Sequence, residues 1–405
     1  MIDLVVRNAR VVTPTVRTGI VRGSDMKRLH TLHPCDVAVD AGIIKAVGPD
    51  LPAIGRREID ADGRVLLPAF IDCHTHMCWA GCRLDEWERR LAGATYLELL
   101  EAGGGIMATV RAVRRAGEDE LAALLLARLE AALREGTCTA EVKSGYGLDT
   151  ESELKMLRAI DRAARQWAGT LVMTACIGHA LDPDEPHCVE RTITQTLPAV
   201  HEAFPGVAID AYCEKGAWSL EDCLRLFDAA RELGHPCRVH TDQFNALGMT
   251  SAAVERGFRS VDHLESSVED EIRRLAASDT IGVILPCSGF HVDRRYADAR
   301  RLIDFGGAVA VATNCNPGSA PCLSMPMAMA IGVRCCGLSP AEAVTAATAN
   351  AGMVLGLGDR GRLEPGLRAD MVMLHTRDVR ALTHDFGSRP VRLVVCAGRV
   401  VVEDS

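Results

Sequence analysis

Two histidines separated by one residue are the first feature of this sequence that could do chemistry. His74 and His76 stand in the run DCHTH, directly after an apolar stretch. Alternate side chains of a strand point to the same side, so both imidazoles would face one point. With His240, which also ends an apolar run, they would offer three neutral nitrogens to a divalent metal and leave positions open for water. The pattern therefore predicts a metal site.

Polar side chains also follow several other apolar runs. They are Tyr146, His179, Gln243, His263 and Asn314. If these runs are the strands of one barrel, residues at their carboxyl ends meet on one rim, where barrel enzymes place their active sites. His263 is a candidate proton carrier on this rim, because histidine titrates near neutral pH.

The middle of the chain alternates between short strands and helices. In residues 121–134, for example, apolar residues recur at helical spacing, and Thr150 with Glu153 forms a capping-box pattern at the start of the next helix. Eight such units predict an α/β fold, a (β/α)₈ or TIM barrel, over residues 67–356. The predicted strands are residues 65–71, 138–142, 171–177, 207–212, 237–239, 260–262, 281–285 and 308–312.

Both ends of the chain have a different pattern. Residues 1–66 and 357–405 contain short β-type runs separated by turn residues, such as the hairpin signal at residues 40–42. Two β-rich ends that flank a long barrel predict one small β-sandwich domain built from both termini.

The composition limits the partners of the protein. The chain of 405 residues has a net charge of −9, which argues against nucleic acid, since that partner requires a basic face. No apolar stretch approaches the ~18 residues of a membrane span, and the first residues do not resemble a signal peptide. The 16 irregularly spaced cysteines indicate free thiols in a reducing cytoplasm. We expect a small-molecule substrate, with neither nucleic acid nor membrane as a partner.

The order of the polar motifs resembles that of the amidohydrolase superfamily, with HxH after strand 1, histidines after strands 5 and 6 and an acidic position after strand 8. Within it, nearly the whole chain is similar to the imidazolonepropionases. The stretches that carry this likeness are AGCR at 80–83, 96–106 with its glycine triplet, AEVKSGYGL at 140–148, GHA at 178–180, HTDQ at 240–243, DHL at 262–264 and NPGS at 316–319.

The resemblance implies a reaction and a cofactor. Imidazolonepropionases hydrolyse 4-imidazolone-5-propanoate, a small anionic heterocycle, to N-formimidoyl-L-glutamate. By position, the metal ligands would be His74, His76, His240 and Asn314. Some superfamily members carry a lysine on strand 4 that bridges two metals, and residues 207–212 contain none. The resemblance therefore implies one zinc, iron or manganese ion per chain, and a homodimer is the oligomer that such barrel hydrolases often form.

The resemblance also implies which residues contact the substrate. Arg83 can hold the propionate carboxylate through two charge-assisted hydrogen bonds. At the reacting ring we expect His263, Gln243 and Asn314. The implied substrate-binding residues are Arg83, Tyr96, Tyr146, His179, Gln243, Asn316, Gly318 and Ser319.

One position departs from the family pattern. The family has an aspartate where this chain has Asn314, and that aspartate both binds the metal and takes a proton from the attacking water. An asparagine offers only a neutral carbonyl oxygen and cannot act as a base. Proton removal must then pass to His263 or to solvent.

Three hypotheses remain open at this point. The chain is an imidazolonepropionase whose aspartate has been replaced, or a relative that acts on another ring with the same propionate, or a non-catalytic ligand-binding protein. For the second, a thioxo-imidazolidinone propionate from ergothioneine breakdown, hydrolysed by a desulfhydrase with release of sulfide, would suit a softer site. A deaminase is disfavoured, because the superfamily deaminases place a glutamate where Gln243 stands.

Overall fold

The computed structural model describes residues 1–15, 18–93 and 104–404. It contains a parallel barrel and a mostly antiparallel sheet made from both ends of the chain. This is the predicted (β/α)₈ barrel with a terminal β domain. Within the described ranges, no helix has the length and apolar character needed to cross a membrane.

The terminal sheet joins the first and last strands of the chain. Its strand order is β16-β15-β14-β5-β1-β2-β3, and β4 pairs with β1. The bounds are β1 Ile2–Pro14, β2 Leu29–Asp40, β3 Ile43–Gly48, β4 Gly55–Asp60, β5 Val65–Pro68, β14 Met371–Leu374, β15 Val391–Cys396 and β16 Arg399–Glu403.

The barrel sheet runs in chain order from β6 to β13, with parallel pairing throughout. Its strands are buried on both faces, which is why they read as continuous apolar runs. The bounds are β6 Phe70–Asp72, β7 Thr137–Lys143, β8 Thr170–Gly178, β9 Ala208–Cys213, β10 Arg238–Thr241, β11 Ser260–His263, β12 Ile281–Ile284 and β13 Val309–Val311.

Helices connect and cover the barrel strands. A short 3₁₀ helix at Gly23–Lys27 and a π-helical turn at Thr192–Thr196 accompany the α-helices. The α-helices are Leu84–Leu91, Ile106–Arg115, Glu118–Arg134, Thr150–Ala164, Cys188–Arg191, Leu197–Ala203, Leu220–Glu232, Met249–Glu255, Glu269–Ala276, Pro286–His291, Ala299–Asp304, Met325–Cys335, Pro340–Ala347, Ala349–Val354 and Ala381–His384.

The first predicted strand is two strands in the structure. Residues 65–71 divide at Ala69, so that β5 belongs to the terminal sheet and β6 to the barrel. Both halves are buried and apolar, and hydrophobicity alone therefore could not reveal the change of sheet.

The barrel is joined between β6 and β13 beyond the strand ends. The Asn314 N–H donates to the His74 carbonyl at 3.1 Å, and the His76 N–H donates to the Cys315 carbonyl at 2.9 Å. Below them, the Thr313 N–H and hydroxyl both donate to the Asp72 carboxylate, at 3.1 and 2.5 Å. The HxH motif is thus fixed to the chain that follows β13.

The predicted capping box at Thr150 is wrong in detail. Asp149 is the N-cap, and its side chain accepts from the Ser152 N–H at 2.8 Å. Glu153 instead turns inward and accepts hydrogen bonds from the N–H groups of Gly145, Gly147 and Leu148 at 2.7–2.9 Å. Glu153 therefore holds the loop that follows β7.

A buried asparagine attaches the N-terminal segment to the barrel. The Asn350 amide donates to the carbonyls of Val21 and Val309 and accepts from the Val21 N–H, each at 2.9 Å. Its side chain is fully buried, so removing it would leave three backbone groups unpaired.

We predict that Asn350→Ala lowers the free energy of unfolding by about 1–3 kcal/mol, the cost of leaving buried polar groups unsatisfied. Urea denaturation followed by circular dichroism measures this change. Gln166→Ala, which removes only an exposed hydrogen bond to the Arg162 carbonyl, is the control and should change stability by less than about 0.5 kcal/mol. Equal stabilities of the two variants would contradict the assignment.

Candidate active site

Three histidines meet at the carboxyl ends of the barrel strands. One ring nitrogen each of His74, His76 and His240 lies within 4.8 Å of the others, and all three residues are buried. The Nε2 atoms of His76 and His240 are 3.0 Å apart. Burial is the main cause that lowers the pKa of His74 and His76 well below the usual value for histidine. Neutral imidazoles in this arrangement are suitable metal ligands.

Two aspartates fix the ring orientation of two histidines in this cluster. Asp262 accepts from His74 Nδ1 at 2.5 Å and Asp210 accepts from His240 Nδ1 at 3.0 Å, which fixes both tautomers and leaves the Nε2 lone pairs available. His74 Nε2 is buried with no hydrogen-bond partner among the described residues, and the Nε2 atoms of His76 and His240 are brought together without an acceptor between them. An unpaired buried nitrogen at this point fits a metal ion and would be costly without one.

The carboxylates behind the histidines belong to one chain of buried ion pairs. Arg238 contacts Asp262 at 2.6 Å and also contacts Glu141. Lys143 then contacts Glu141 at 2.9 Å and Asp210 at 2.7 Å. The arc consists of His74, Asp262, Arg238, Glu141, Lys143, Asp210 and His240.

The arrangement fits one metal rather than two. A second group of possible ligands, Cys176, Asp210 and His240, shares His240 with the first group. Its Asp210 already accepts from Lys143 and His240. Among the described residues of this region, Lys143 is the only lysine. It is an ion-pair partner of two carboxylates and not a bridge between two ions.

Asn314 occupies the end of β13 beside the HxH motif. It is buried, and its φ of +55° is in the left-handed region, which asparagine and aspartate adopt more readily than other residues. Its N–H is bound to His74, and its carbonyl accepts from Asn316 Nδ2 at 2.7 Å. The backbone of the predicted fourth ligand is therefore fixed next to the cluster.

His263 has a carboxylate partner. Its Nδ1 lies 3.1 and 3.2 Å from the two Glu265 oxygens, and both side chains are almost fully buried. The His263 ring is 5.8 Å from the His240 ring and 6.2 Å from the His74 ring, between centroids. Glu265 orients this imidazole and leaves Nε2 as the nitrogen that can exchange a proton.

Tyr146 and His179 form a second wall of the site. His179 stacks on His76 with 4.6 Å between ring centroids, and the Tyr146 ring is 5.2 Å from that of His179. His179 Nδ1 donates to the Gly145 carbonyl at 2.9 Å. Burial lowers the pKa of His179 to about 3, so this imidazole stays neutral and keeps Nε2 for a ligand.

Arg83 is a mostly buried residue that is paired with the carboxylate of Glu86. Its Nε donates to Glu86 at 2.7 Å, and a second guanidinium nitrogen contacts the same carboxylate. A Cβ placed on Gly318 would lie 3.1 Å from Arg83 Nη1, so glycine makes room for this guanidinium. The side chain is only 12% exposed, which is unlike a solvated surface arginine.

The loop after β13 is held by its own asparagine. Asn316 accepts from the N–H groups of Gly318 and Ser319 at 2.9 and 2.7 Å and donates to the Ser319 hydroxyl at 2.8 Å. Its polar atoms are thus occupied within the loop, and Asn316 shapes the wall that carries Gly318. Tyr96, another predicted contact, lies outside the described residues.

Comparison with known proteins agrees with this geometry. Residues 65–401 match the amidohydrolase family. The chain belongs to the amidohydrolase family. It is 42% identical to the imidazolonepropionase of Deinococcus radiodurans, over 95% of this chain and 96% of that protein. The imidazolonepropionase of Chloroflexus aggregans is 40% identical, over 99% and 98% of the two chains. These relatives confirm the predicted imidazolonepropionase-like hydrolase, an enzyme acting on C–N bonds.

Solved structures share the fold at lower sequence identity. A 5-methylcytosine deaminase from Klebsiella pneumoniae superimposes with a TM-score of 0.76 at 18% identity, covering 99% of this chain and 98% of that one. An adenosine deaminase from Xanthomonas campestris with bound zinc gives a TM-score of 0.71 at 19% identity, covering 99% and 93% of the chains. These likenesses support the barrel with its terminal sheet.

Several residues of this amidohydrolase site were not identified from the sequence. Arg238 lies in a strand predicted as an apolar run, 237–239, and a charge inside such a run is the signal that could have revealed it. Asp210 offered the same signal in β9. Lys143 follows the predicted run 138–142 directly, and the structure extends that strand to include it. Glu86 and Glu265 carry no signal in one sequence, because each is recognised only by its contact with a known site residue.

We predict that Asp210→Asn weakens metal binding about 10- to 100-fold, the usual cost of altering a partner that orients a metal-binding histidine. The asparagine keeps the size of the side chain but removes the charge that supports His240 and Lys143. Metal content after dialysis against graded chelator measures the effect. The control is Asp228→Asn, at an exposed pair with Arg256; a loss of metal that is equal in both variants would contradict this prediction.

Proposed function

We propose that this amidohydrolase opens a five-membered, imidazolone-type ring that carries a propionate side chain. The first candidate is the reaction that the names of its relatives indicate. It is the hydrolysis of 4-imidazolone-5-propanoate to N-formimidoyl-L-glutamate. The observation that supports it most directly is the contact of the Arg83 guanidinium with Gly318. Gly318 lies on the loop after β13, and this loop begins beside the three-histidine cluster.

Different residues of the site would contact different parts of such a substrate. Arg83 would hold the carboxylate, with Glu86 fixing the plane of the guanidinium. Tyr146 and His179 would bond polar atoms of the ring from the side of His76. A zinc, iron or manganese ion on the three-histidine cluster would polarise the ring carbonyl and lower the pKa of water. We further propose one ion per chain and a homodimer as the oligomer.

Proton transfer at this site falls to His263. Asn314 and Gln243 are amides, and neither can accept a proton at neutral pH. The Nδ1 contact of His263 with Glu265 leaves Nε2 as the nitrogen that can take a proton. His263 would thus remove the proton from water and later donate it to the leaving group.

A second candidate substrate is the 2-thioxo analogue of the same ring, hydrolysed with release of sulfide. The observation that favours it is the neutral amide of Asn314 at the barrel rim. Sulfide leaves more readily than an amine and needs less help from an acid. A metal without an anionic fourth ligand is also a stronger Lewis acid toward a weakly basic thione.

We predict that Arg83→Ala weakens substrate use, measured as kcat/KM, by about 2–5 kcal/mol, the range for removing one partner of a buried charge pair. Gly318→Ala should raise KM with a smaller loss, because the added methyl group displaces the same guanidinium. Gly387→Ala, at a position with open space around it, is the matched control. If Arg83→Ala leaves KM for a propionate-bearing ring unchanged, Arg83 does not bind the carboxylate.

We predict that Asn314→Asp affects hydrolysis of the two rings differently. A restored carboxylate base should raise imidazolone hydrolysis ~100- to 10,000-fold, as general-base assistance typically does. On the thioxo ring, the same substitution should leave the rate unchanged or lower it. Metal-replete parent and variant are each incubated with both rings, with ring absorbance and sulfide as readouts.

The four combinations separate the hypotheses. Turnover of the thioxo ring by the parent supports the second candidate. Gain on the imidazolone by Asn314→Asp, with no parent activity on either ring, supports an imidazolonepropionase that has lost its base. No turnover in any combination would contradict the proposed function and favour a ligand-binding role.

A further inference from the structure

Three pairs of cysteine thiols are in hydrogen-bond contact among the residues that the structure describes. Two of these pairs are fully buried, and the third has a half-buried member. The buried pairs are Cys138 with Cys396, whose Sγ atoms are 2.9 Å apart, and Cys213 with Cys223. The third pair is Cys287 with the half-buried Cys322. Within the described ranges, this third pair alone combines contact between two thiols with access to solvent.

The pair of Cys287 and Cys322 joins two segments at the rim of the barrel. Cys287 lies at the start of the helix that follows β12, and Cys322 lies on the loop that follows β13, the neighbouring strand. Beside Cys287, the Ser288 hydroxyl lies 3.5 Å from Gln243 Nε2. The loop of Cys322 is the one that Asn316 shapes through its own hydrogen bonds. A bond between the two sulfurs would therefore connect two walls of the candidate active site.

The two thiols of this pair differ in acidity. The hydrogen bond between them is the main cause that lowers the pKa of Cys322 and raises the pKa of Cys287 well above the usual value for cysteine. Burial and the charges of Asp72 and Glu135 act against the shift at Cys322, but this hydrogen bond and the Ser324 backbone outweigh them. The thiolate is the reactive form of cysteine, and reactive cysteines are partly exposed. Cys322 is thus the nucleophile of the pair, and Cys287 is placed to react with an oxidised Cys322.

We propose that Cys322 and Cys287 form an oxidation site at the barrel rim, which reacts with hydrogen peroxide and closes to a disulfide. The Cys322 thiolate attacks one peroxide oxygen, the O–O bond breaks, and the leaving oxygen takes a proton to become water, so that Cys322 becomes a sulfenic acid. The Cys287 sulfur then attacks the sulfenic sulfur. The S–S bond forms, and the hydroxyl group leaves with the Cys287 proton as a second water. Two thiols are oxidised and one peroxide is reduced, with no further reactant.

Closure of this disulfide would move a wall of the candidate active site. A disulfide holds its two sulfurs about 2 Å apart, which is closer than a hydrogen bond holds them. The Ala320 carbonyl accepts from the N–H groups of both Cys322 and Asn316, at 2.8 and 3.0 Å, so a displacement of Cys322 is passed to the loop that Asn316 shapes. Because a displacement of about 1 Å can cost ~100-fold in rate, we expect the disulfide to lower turnover by about 10- to 100-fold.

The test treats zinc-loaded protein with increasing hydrogen peroxide, blocks the remaining thiols and identifies linked peptides by non-reducing mass spectrometry. A peptide pair linked through Cys287 and Cys322 should appear, and dithiothreitol should remove it. In Cys287→Ser, the reaction should stop at the sulfenic acid of Cys322, which dimedone labels. The buried pair of Cys213 and Cys223 is the internal control, because its thiols are in the same kind of contact without access to solvent. It should stay unlinked.

Turnover of the two proposed rings is measured on the same samples. The parent should lose turnover as the linked peptide appears, and Cys322→Ser should keep it. Cys335→Ser, which removes an exposed thiol on another helix, is the matched control and should behave like the parent. Oxidation of the exposed cysteines without a link between Cys287 and Cys322, or an equal loss of turnover in Cys322→Ser, would overturn the inference.

Failure of the proposed function gives a different result. The linked peptide forms without any substrate, so the oxidation site does not rest on the proposed function. If the reduced parent turns over neither ring, the proposed function is wrong, and the presence or absence of the linked peptide still supports or overturns the oxidation site. If the link forms and turnover does not change, the expected effect on the wall of the site is wrong.

Discussion

A chain of buried ion pairs inside the barrel is the interaction on which the candidate metal site depends. It links the two histidines that need a fixed orientation, His74 and His240, through three carboxylates and two cations. Each of these charges would cost several kcal/mol to bury alone, and removing one partner leaves the others uncompensated. The arc is therefore stable only as a whole. The charged residues of the arc lie on β7, β9, β10 and β11. The orientation of the two imidazoles therefore depends on the pairing of these strands.

The same coupling explains why function concentrates at the ends of these strands. Left-handed backbone at Asp242, His263 and Asn314 marks the points where the chain leaves β10, β11 and β13. Such conformations persist only where the surroundings enforce them, and here carboxylates and backbone groups bind the flanking residues. The backbone of the rim is therefore held by protein contacts near each of these three residues. Polar groups that the fold holds in place lower the entropic cost of orienting a small ring.

The sequence predicted the site residues that lie at the ends of periodic strands. It did not predict the residues whose role depends on contacts between distant parts of the chain. The HxH motif and the strand-end polar residues were found because barrel topology brings strand ends together. The role of Arg238 was missed because its strand was recognised by apolar neighbours, and that of Lys143 because its two carboxylate partners are known only from the fold. Glu153 was read as a cap from its spacing, although the structure turns it inward to the loop after β7. The hydrogen bond from Tyr212 in β9 to Gln243 after β10 has no local pattern in the sequence.

The neutral amide of Asn314 bears on the strength of a bound ion and on the missing base. The arc holds three carboxylates against two cations, and Glu265 beside His263 is a further buried carboxylate. A divalent ion on the three histidines would therefore be balanced by these acids without a carboxylate at position 314. Under the proposed function, the amide would leave that ion without an anionic fourth ligand, and such an ion would be a stronger Lewis acid toward a weakly basic thione. Because the same amide cannot accept a proton, residue 314 bears on the choice between the two proposed rings in two separate ways.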